Sequence, residues 1–293
     1  MPDSSASSST GNATQYWVAL LHATRPERLN EFVAQHAEAY HHAQPFPHAS
    51  IDDIFPADVL RAISDEIPEV DAGTLRDERR TQADPQYLKR YIRDDTQMGV
   101  VTRLVFAVLR SPPFVDFLAR LSGISGLLPD PVYAGSGVHI TGVGGRLAVH
   151  ADYNYHARAR LARRVNAFVY LNHDWRDEYG GHLELWDRNL TGCRVRLRPV
   201  FGRFVVFSTT DFTFHGHPAP LACPPNRARR SLALYYYTNG RPIGECAHVL
   251  TDGTCGSRDT DWRPDANSCR RARRRQHPSP SKDGRKRSPV GEG

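Results

Sequence analysis

The sequence predicts an α+β protein in which N-terminal helices support a jelly-roll barrel of the double-stranded β-helix, or cupin-like, type. Two observations predict this fold class. Apolar residues repeat with a helical period as far as about residue 121, and after Leu128-Pro129 the chain changes to short β-type segments separated by Gly and Pro. Helices followed by many short strands are typical of helices packed on an antiparallel barrel. We therefore expect a helical support region at 16–127 and the barrel at 128–250.

The support region contains several elements that the apolar spacing predicts individually. Pro26 suits the first turn of a helix, and the pair Pro112-Pro113 interrupts a long helical pattern and divides it into two helices. The pattern predicts helices over 25–42 and 56–67, two more within 94–121, and short strands over 49–55 and 87–91.

Seven strands are predicted after the change in pattern, since runs rich in β-branched and aromatic residues alternate there with turn residues. They are expected near 132–140, 147–152, 164–171, 181–186, 193–197, 203–207 and 231–237. This number of short strands is typical of a sandwich or a barrel.

The two ends of the chain are polar, and the C-terminal end differs in charge from the body. Residues 1–15 are rich in Ser, Thr and Asn and are expected to be disordered. The formal net charge is +6, but the stretch from Arg263 to Gly293 holds ten Lys and Arg against three acidic residues. The body is therefore nearly neutral, and only the tail, 251–293, is expected to be a disordered basic segment that could contact nucleic acid.

We expect no secretory signal, because the polar start lacks the basic and apolar regions that such a signal contains. No apolar stretch approaches membrane-spanning length. We expect a cytoplasmic protein without a membrane partner, and the sequence leaves its oligomeric state open. Five cysteines at irregular spacing without a CxxC pair predict reduced thiols.

The most informative motif is the triplet His150-Ala151-Asp152, with His215 well downstream. On a strand, residues i and i+2 point to the same face, so the imidazole and the carboxylate can converge on one metal ion. Two nitrogens and one oxygen on one side of a first-row metal form the facial arrangement that non-haem Fe(II) oxygenases use. His217 competes with His215 for the third position, because both share a face of an extended segment.

The motifs around this triplet resemble the iron- and 2-oxoglutarate-dependent dioxygenases, specifically the prolyl-4-hydroxylase-like branch. The resemblance covers roughly 132–238 and rests on three ordered segments besides the metal motif. They are Val165–Trp175 with the run Tyr170-Leu171-Asn172, then Tyr179–Trp186 with Gly180-Gly181, and Arg229–Tyr237. The resemblance implies that His150, Asp152 and His215 are both catalytic residues and iron ligands.

The resemblance also implies a co-substrate site, in which an arginine at the start of a late strand grips the distal carboxylate of 2-oxoglutarate. The matching position is Arg230, with Arg229 as the competitor, since only one of two adjacent strand residues can point inward. Arg230 has the parity of Leu232 and Leu234, which favours it if the apolar face is the inner one. Tyr170 matches a family position whose phenol can bond the same carboxylate.

The activity that the resemblance implies is hydroxylation of an unactivated carbon, with 2-oxoglutarate and O2 converted to succinate and CO2. Fe(2+) is the implied cofactor, and a requirement for ascorbate is left open, as is the choice between a peptide and a small-molecule substrate. Two other classes remain: a non-catalytic protein that binds nucleic acid or a partner through the basic tail, and a cupin-like metalloprotein that needs no 2-oxoglutarate.

Overall fold

The computed structural model describes residues 4–69 and 84–246, with side chains from residue 13 onward. Its helices are α1 (Ser4–Ala23), α2 (Pro26–His42), α3 (Ala57–Glu66), α4 (Val100–Leu109) and α5 (Pro112–Ser122). Its strands are β1 (His48–Ile51), β2 (Gln86–Ile92), β3 (Leu128–Pro129), β4 (Gly137–His150), β5 (Tyr155–His156), β6 (Leu161–Tyr170), β7 (Leu183–Trp186), β8 (Cys193–Leu197), β9 (Phe204–Ser208), β10 (Phe214–His217) and β11 (Ala228–Thr238).

The helices begin and end where the sequence places proline and glycine. Proline occupies the first turn of α2 and of α5, where its missing N–H costs nothing. Gly123 ends α5 with φ 69°, a left-handed conformation that glycine adopts without strain. The pair Pro112-Pro113 therefore starts a new helix.

The first helix begins earlier than the composition predicts. We expect order only from residue 16, whereas α1 begins at Ser4. Trp17 and Tyr16 pack against the main core, and Leu20 is fully buried in it. Once such anchors fix one part of a helix, each further residue adds a hydrogen bond without a new nucleation cost. Composition alone does not reveal this, since it counts apolar residues and not their packing.

The strands form one antiparallel, nearly closed sheet, which is the predicted double-stranded β-helix. The strand order is β1-β9-β6-β11-β4-β10-β7-β8, and β2 pairs with β4 outside this path. Aromatic contacts join the helices to one face of the sheet: Phe114 and Phe117 of α5 lie 5.9 and 6.4 Å from Phe204 of β9. The opposite face of the same strands lines the barrel interior. The helices thus pack on the outer face of these strands and not on the face that lines the interior.

One long strand replaces two predicted ones, because β4 bends instead of ending. Its pairing with β2 shifts register between Tyr87 and Lys89, opposite Gly142–Gly145. A Cβ on Gly145 would lie 2.8 Å from the carbonyl oxygen of Gly142, so only glycine fits this bend. The bend redirects the strand so that it ends at His150.

Two further expectations have outcomes in the described part of the chain, and a third lies outside it. None of its helices is long and apolar enough to cross a membrane. Cys193 and Cys223 are free thiols, as predicted, but Cys246 is disulfide-bonded, so the expectation of reduced thiols throughout is wrong. The predictions on the basic tail, 251–293, lie outside the described residues.

Candidate active site

Three side chains with metal-binding atoms meet at the end of β4. His150 is the last residue of this strand, Asp152 follows it, and His215 on β10 is directly opposite His150 in the register. His150 Nε2 lies 3.5 Å from Asp152 Oδ1, and His215 Nε2 lies 3.4 Å from Asp152 Oδ2. All three ligand atoms lie within 4.8 Å of one another. The sequence motif therefore does form a cluster in space.

The distances between these atoms suit a small metal ion. Ligands about 2.1 Å from an ion and at right angles to each other lie about 3 Å apart, close to the separations found here. Two imidazole nitrogens and a carboxylate oxygen are the donor set of the facial arrangement that leaves the opposite side of an Fe(II) ion open. The residues present thus fit the metal that the motif implies.

The two histidine rings are held so that the same nitrogen of each ring points to the cluster. His150 Nδ1 lies 2.8 Å from the carbonyl oxygen of Ala148, and His215 Nδ1 lies 3.1 Å from that of Thr213. A hydrogen on Nδ1 that donates to these carbonyls leaves Nε2 with its lone pair, and this is how proteins orient metal-binding histidines.

Gly216 brings the distal histidine into place. A Cβ on this residue would lie 2.8 Å from the carbonyl oxygen of Ala148 and 2.9 Å from that of Leu147. Because glycine has no Cβ, β10 approaches β4 closely enough for His215 to face His150.

Two neighbours hold the carboxylate of Asp152. Asn166 Nδ2 donates to its Oδ2 at 2.7 Å, and the buried Arg163 guanidinium lies 3.0 Å from the same oxygen. Arg163 in turn stacks 3.4 Å from the centroid of the Tyr235 ring. Burial raises the pKa of Asp152, but the opposing effects of Arg163 and of the two histidines hold it well below its usual value. The carboxylate is therefore ionised and fixed in orientation.

His215 is neutral near pH 7. Burial lowers the pKa of this imidazole to about 4, with the charges of His150 and Arg163 acting in the same direction and Asp152 in the opposite one. A neutral imidazole is the form that binds a metal.

His217, the competing candidate, lies outside the cluster of metal-binding atoms. It is buried, and neither of its ring nitrogens has a hydrogen-bond partner among the described residues. Burial lowers its pKa well below the usual value, and the positive charges of Arg229 and Lys89 contribute to the same direction. His217 thus lies within electrostatic reach of the two cations and not at the metal position.

The structure reverses the predicted orientation of the two arginines. Arg229 is buried in the barrel, where its Nη2 donates to Tyr170 Oη at 3.0 Å and its Nε to the carbonyl oxygen of Gly181 at 2.7 Å. Arg230 lies on the other face of β11 and lines a surface pocket with Asp65 and Glu69. The parity argument failed because the apolar residues of β11 face the helices and not the interior. Tyr170 lies inside, as expected.

The barrel interior around Arg229 contains buried polar groups that have no partner among the described residues. Thr141 Oγ1, Ser231 Oγ and both ring nitrogens of His217 are buried and make no hydrogen bond within the described residues. Arg229 pairs with Thr141 across the sheet, and Ser231 with Tyr170. Buried polar groups that lack a partner cost free energy, so this end of the barrel fits a polar, negatively charged ligand.

An apolar surface connects this polar end with the metal position. Its buried members form one cluster that includes Tyr170, Leu185, Val205 and Phe207. The Phe207 ring lies 4.8 Å from that of His215. A ligand with a charged group at each end and a short apolar middle, such as a dicarboxylic keto acid, matches this arrangement.

Sequence reasoning did not identify Asn166, Arg163 or Lys89 as site residues. A signal existed for Asn166, which shares strand parity with Tyr170 and is a polar residue in an otherwise apolar run. The pairing of β6 with β11 shifts its register just before it reaches Arg163. The pairing of β2 with β4 shifts in the same way just before Lys89. Strand alternation therefore does not predict their direction.

Comparison with known proteins finds one family model that the barrel matches. Residues 136–237, about a third of the chain, match the model of the 2OG-Fe(II) oxygenase superfamily. No curated protein matches the chain significantly.

Similar solved structures include three prolyl hydroxylases. The enzyme from Trichoplax adhaerens, in complex with a peptide fragment of hypoxia inducible factor, is 17% identical, with 73% of this chain and 90% of that chain covered and a TM-score of 0.48. A prolyl-4-hydroxylase from Pseudomonas putida is 19% identical, covers 71% and 100%, and has a TM-score of 0.44. One from Phytophthora capsici is 17% identical, covers 80% and 71%, and has a TM-score of 0.47.

Proposed function

We propose that the protein is an Fe(II)- and 2-oxoglutarate-dependent oxygenase that hydroxylates an unactivated carbon in the manner of the prolyl-4-hydroxylase-like branch. The match of residues 136–237 to the model of the 2OG-Fe(II) oxygenase superfamily supports this proposal. The observation that carries the proposal is the cluster of His150, Asp152 and His215, whose ligand atoms lie within 4.8 Å of one another. The alternative, a non-catalytic protein that binds nucleic acid, has no support from the described residues.

In this proposal, His150, Asp152 and His215 hold Fe(II) on one side. When bound, the iron supplies the positions at which 2-oxoglutarate and O2 react to give succinate, CO2 and the oxidant for the substrate. The protein's part is orientation: carbonyl groups fix both rings, while Asn166 and Arg163 fix the carboxylate. Rigid ligands keep the open side of the ion directed into the cavity.

Arg229, and not Arg230, is the proposed partner of the distal carboxylate of 2-oxoglutarate. Its guanidinium offers a planar fork that matches a carboxylate with two hydrogen bonds. Tyr170 lies 3.0 Å from this guanidinium. Burial raises the pKa of the Tyr170 phenol, so it is protonated near pH 7 and can donate a hydrogen bond to the same carboxylate.

The substrate is proposed to be a peptide residue, with proline as the first candidate, or a small metabolite that presents a similar saturated carbon. The motifs shared with the prolyl-4-hydroxylase-like branch support proline. Ascorbate is proposed as a reductant that sustains turnover by keeping the iron in the Fe(II) state.

The test combines metal binding with turnover. Isothermal titration with Mn(II) should show one site in the wild type and none in His150→Ala, while His173→Ala, an exposed histidine stacked on Phe201, should bind as the wild type does. A turnover assay then supplies Fe(II), ascorbate, 2-oxoglutarate and a panel of proline peptides and metabolites. The wild type and His173→Ala should form succinate and insert oxygen into the product, and His150→Ala should do neither. Succinate formation at the wild-type rate by His150→Ala would contradict the proposal.

A further inference from the structure

Lys89 is a cation that enters the barrel from outside the segment matched to the family. It lies on β2, whereas the match begins at residue 136. The residue before it, Leu88, has φ 50°, a left-handed conformation that is strained for a residue with a side chain. The same point carries the register shift between β2 and β4. This irregularity sets the direction of the Lys89 side chain.

The register places Lys89 in one row with Arg229. Both residues pair directly with Thr141, from opposite sides of β4, and directly paired residues lie on the same face of a sheet. The Lys89 ammonium lies 4.6 Å from the centroid of the Tyr91 ring, and this ring packs edge-on against the buried His139 at 4.7 Å. Lys89 therefore faces the interior beside Arg229.

The two cations have no carboxylate partner in the part of the chain that the structure describes. Neither Lys89 nor Arg229 occurs in an ion pair with Asp or Glu among these residues. Burial lowers the pKa of Lys89, and the charges of Arg229 and Arg93 lower it further, although Tyr91 raises it. Two like charges that face the same barrel interior repel each other, and a bound anion would remove this cost.

We propose that Lys89 and Arg229 together bind the distal carboxylate of the co-substrate, so that Lys89 is a specificity-determining residue of this oxygenase. The inference rests on the proposed function, because it assumes that 2-oxoglutarate occupies the cavity. Arg229 supplies a fork of two donors, and Lys89 supplies a point charge from β2, on the other side of β4. The pair selects a keto acid that carries a second negative charge.

The experiment measures binding of 2-oxoglutarate to the Mn(II)-loaded protein by isothermal titration, which needs no turnover. Lys89→Met should weaken binding about tenfold, the effect of losing one charged contact, and Lys89→Arg should restore it to within about threefold. The matched control is Arg90→Met, because Arg90 is exposed, pairs with Ile140 and occupies the position next to Lys89. The control should bind 2-oxoglutarate as the wild type does.

A second ligand separates a direct contact from a structural effect. In 2-oxopentanoate a methyl group replaces the distal carboxylate of 2-oxoglutarate, so Lys89→Met should leave its affinity unchanged. If Lys89→Met bound both keto acids more weakly by the same factor, the inference would be overturned. It would also be overturned if Arg229→Met no longer bound 2-oxoglutarate while Lys89→Met bound it with the wild-type affinity. A wild-type protein that binds Mn(II) but not 2-oxoglutarate would overturn the proposed function itself.

Discussion

The two faces of β11 are both buried, but they differ in composition. Leu232, Leu234 and Tyr236 point to the helices, where Tyr236 Oη donates to the carbonyl oxygen of Leu109 at 2.8 Å. Arg229 and Ser231 point into the barrel. The first face is continuous with the main apolar core, whereas the second combines charges and hydroxyl groups with aromatic rings.

This difference shows that an apolar face does not identify the inside of a barrel covered by helices. The side that packs on the helices stabilises the fold, because it buries apolar surface. The side that faces the barrel interior, called the cavity side below, bears an energetic cost, since it buries the Arg229 charge without a carboxylate beside it and the Ser231 hydroxyl without a partner among the described residues. If this division is correct, substitutions on the cavity side should change ligand binding, and substitutions on the helix side should change stability.

The largest effect is expected for the distal metal ligand on the cavity side. His215→Ala should weaken Mn(II) binding more than about 100-fold, beyond the effect of losing a residue that only orients a ligand. His217→Ala should bind Mn(II) within about threefold of the wild type, because His217 lies outside the cluster. Isothermal titration of both variants provides the measurement. Loss of the metal in His217→Ala and not in His215→Ala would reverse the assignment.

The adjacent arginines test the two faces at neighbouring positions. Arg229→Met should raise the KM for 2-oxoglutarate about 100-fold, since it removes a buried charged partner. Arg230→Met should change this KM less than about twofold, because its side chain lies in the surface pocket beside Glu69. Steady-state kinetics with varied 2-oxoglutarate provides the measurement. A larger effect of Arg230→Met would show that the cavity is on the other face.

The helix side should respond in stability and not in binding. Leu234→Ala leaves a cavity in the main core and should lower the free energy of unfolding by about 2–4 kcal/mol, with an unchanged KM for 2-oxoglutarate. Ser231→Ala, on the cavity side of the same strand, should change the free energy of unfolding by less than about 0.5 kcal/mol, since the Ser231 hydroxyl has no hydrogen-bond partner to lose among the described residues. Denaturant unfolding of both variants provides the measurement. If both variants were destabilised equally, the helix side and the cavity side of β11 would not differ in their contribution to stability.

Much of this organisation could be predicted from the sequence. The HxD triplet and His215 predicted a cluster that the structure forms, because strand alternation fixes the relation of His150 to Asp152 locally. The choice between Arg229 and Arg230 could not be made, since it depends on which face the helices cover, and this is a long-range property. Lys89 depends on a register shift that alternation does not encode. Local periodicity thus predicts the elements, whereas irregularities place part of the site.

The smallest effect is expected from an asparagine that orients a metal ligand. Asn166 and Asn172 both make buried hydrogen bonds, but Asn166 donates to Asp152 at 2.7 Å, whereas Asn172 Oδ1 accepts from the backbone N–H of Arg230 at 2.6 Å. Asn166→Ala should weaken Mn(II) binding about tenfold. Asn172→Ala should instead lower the free energy of unfolding by about 1–3 kcal/mol, since it leaves a backbone N–H without its acceptor, and should keep the metal affinity. If Asn172→Ala impaired metal binding as much as Asn166→Ala, the orientation of Asp152 would depend on the general integrity of β6 and not on its direct hydrogen bond.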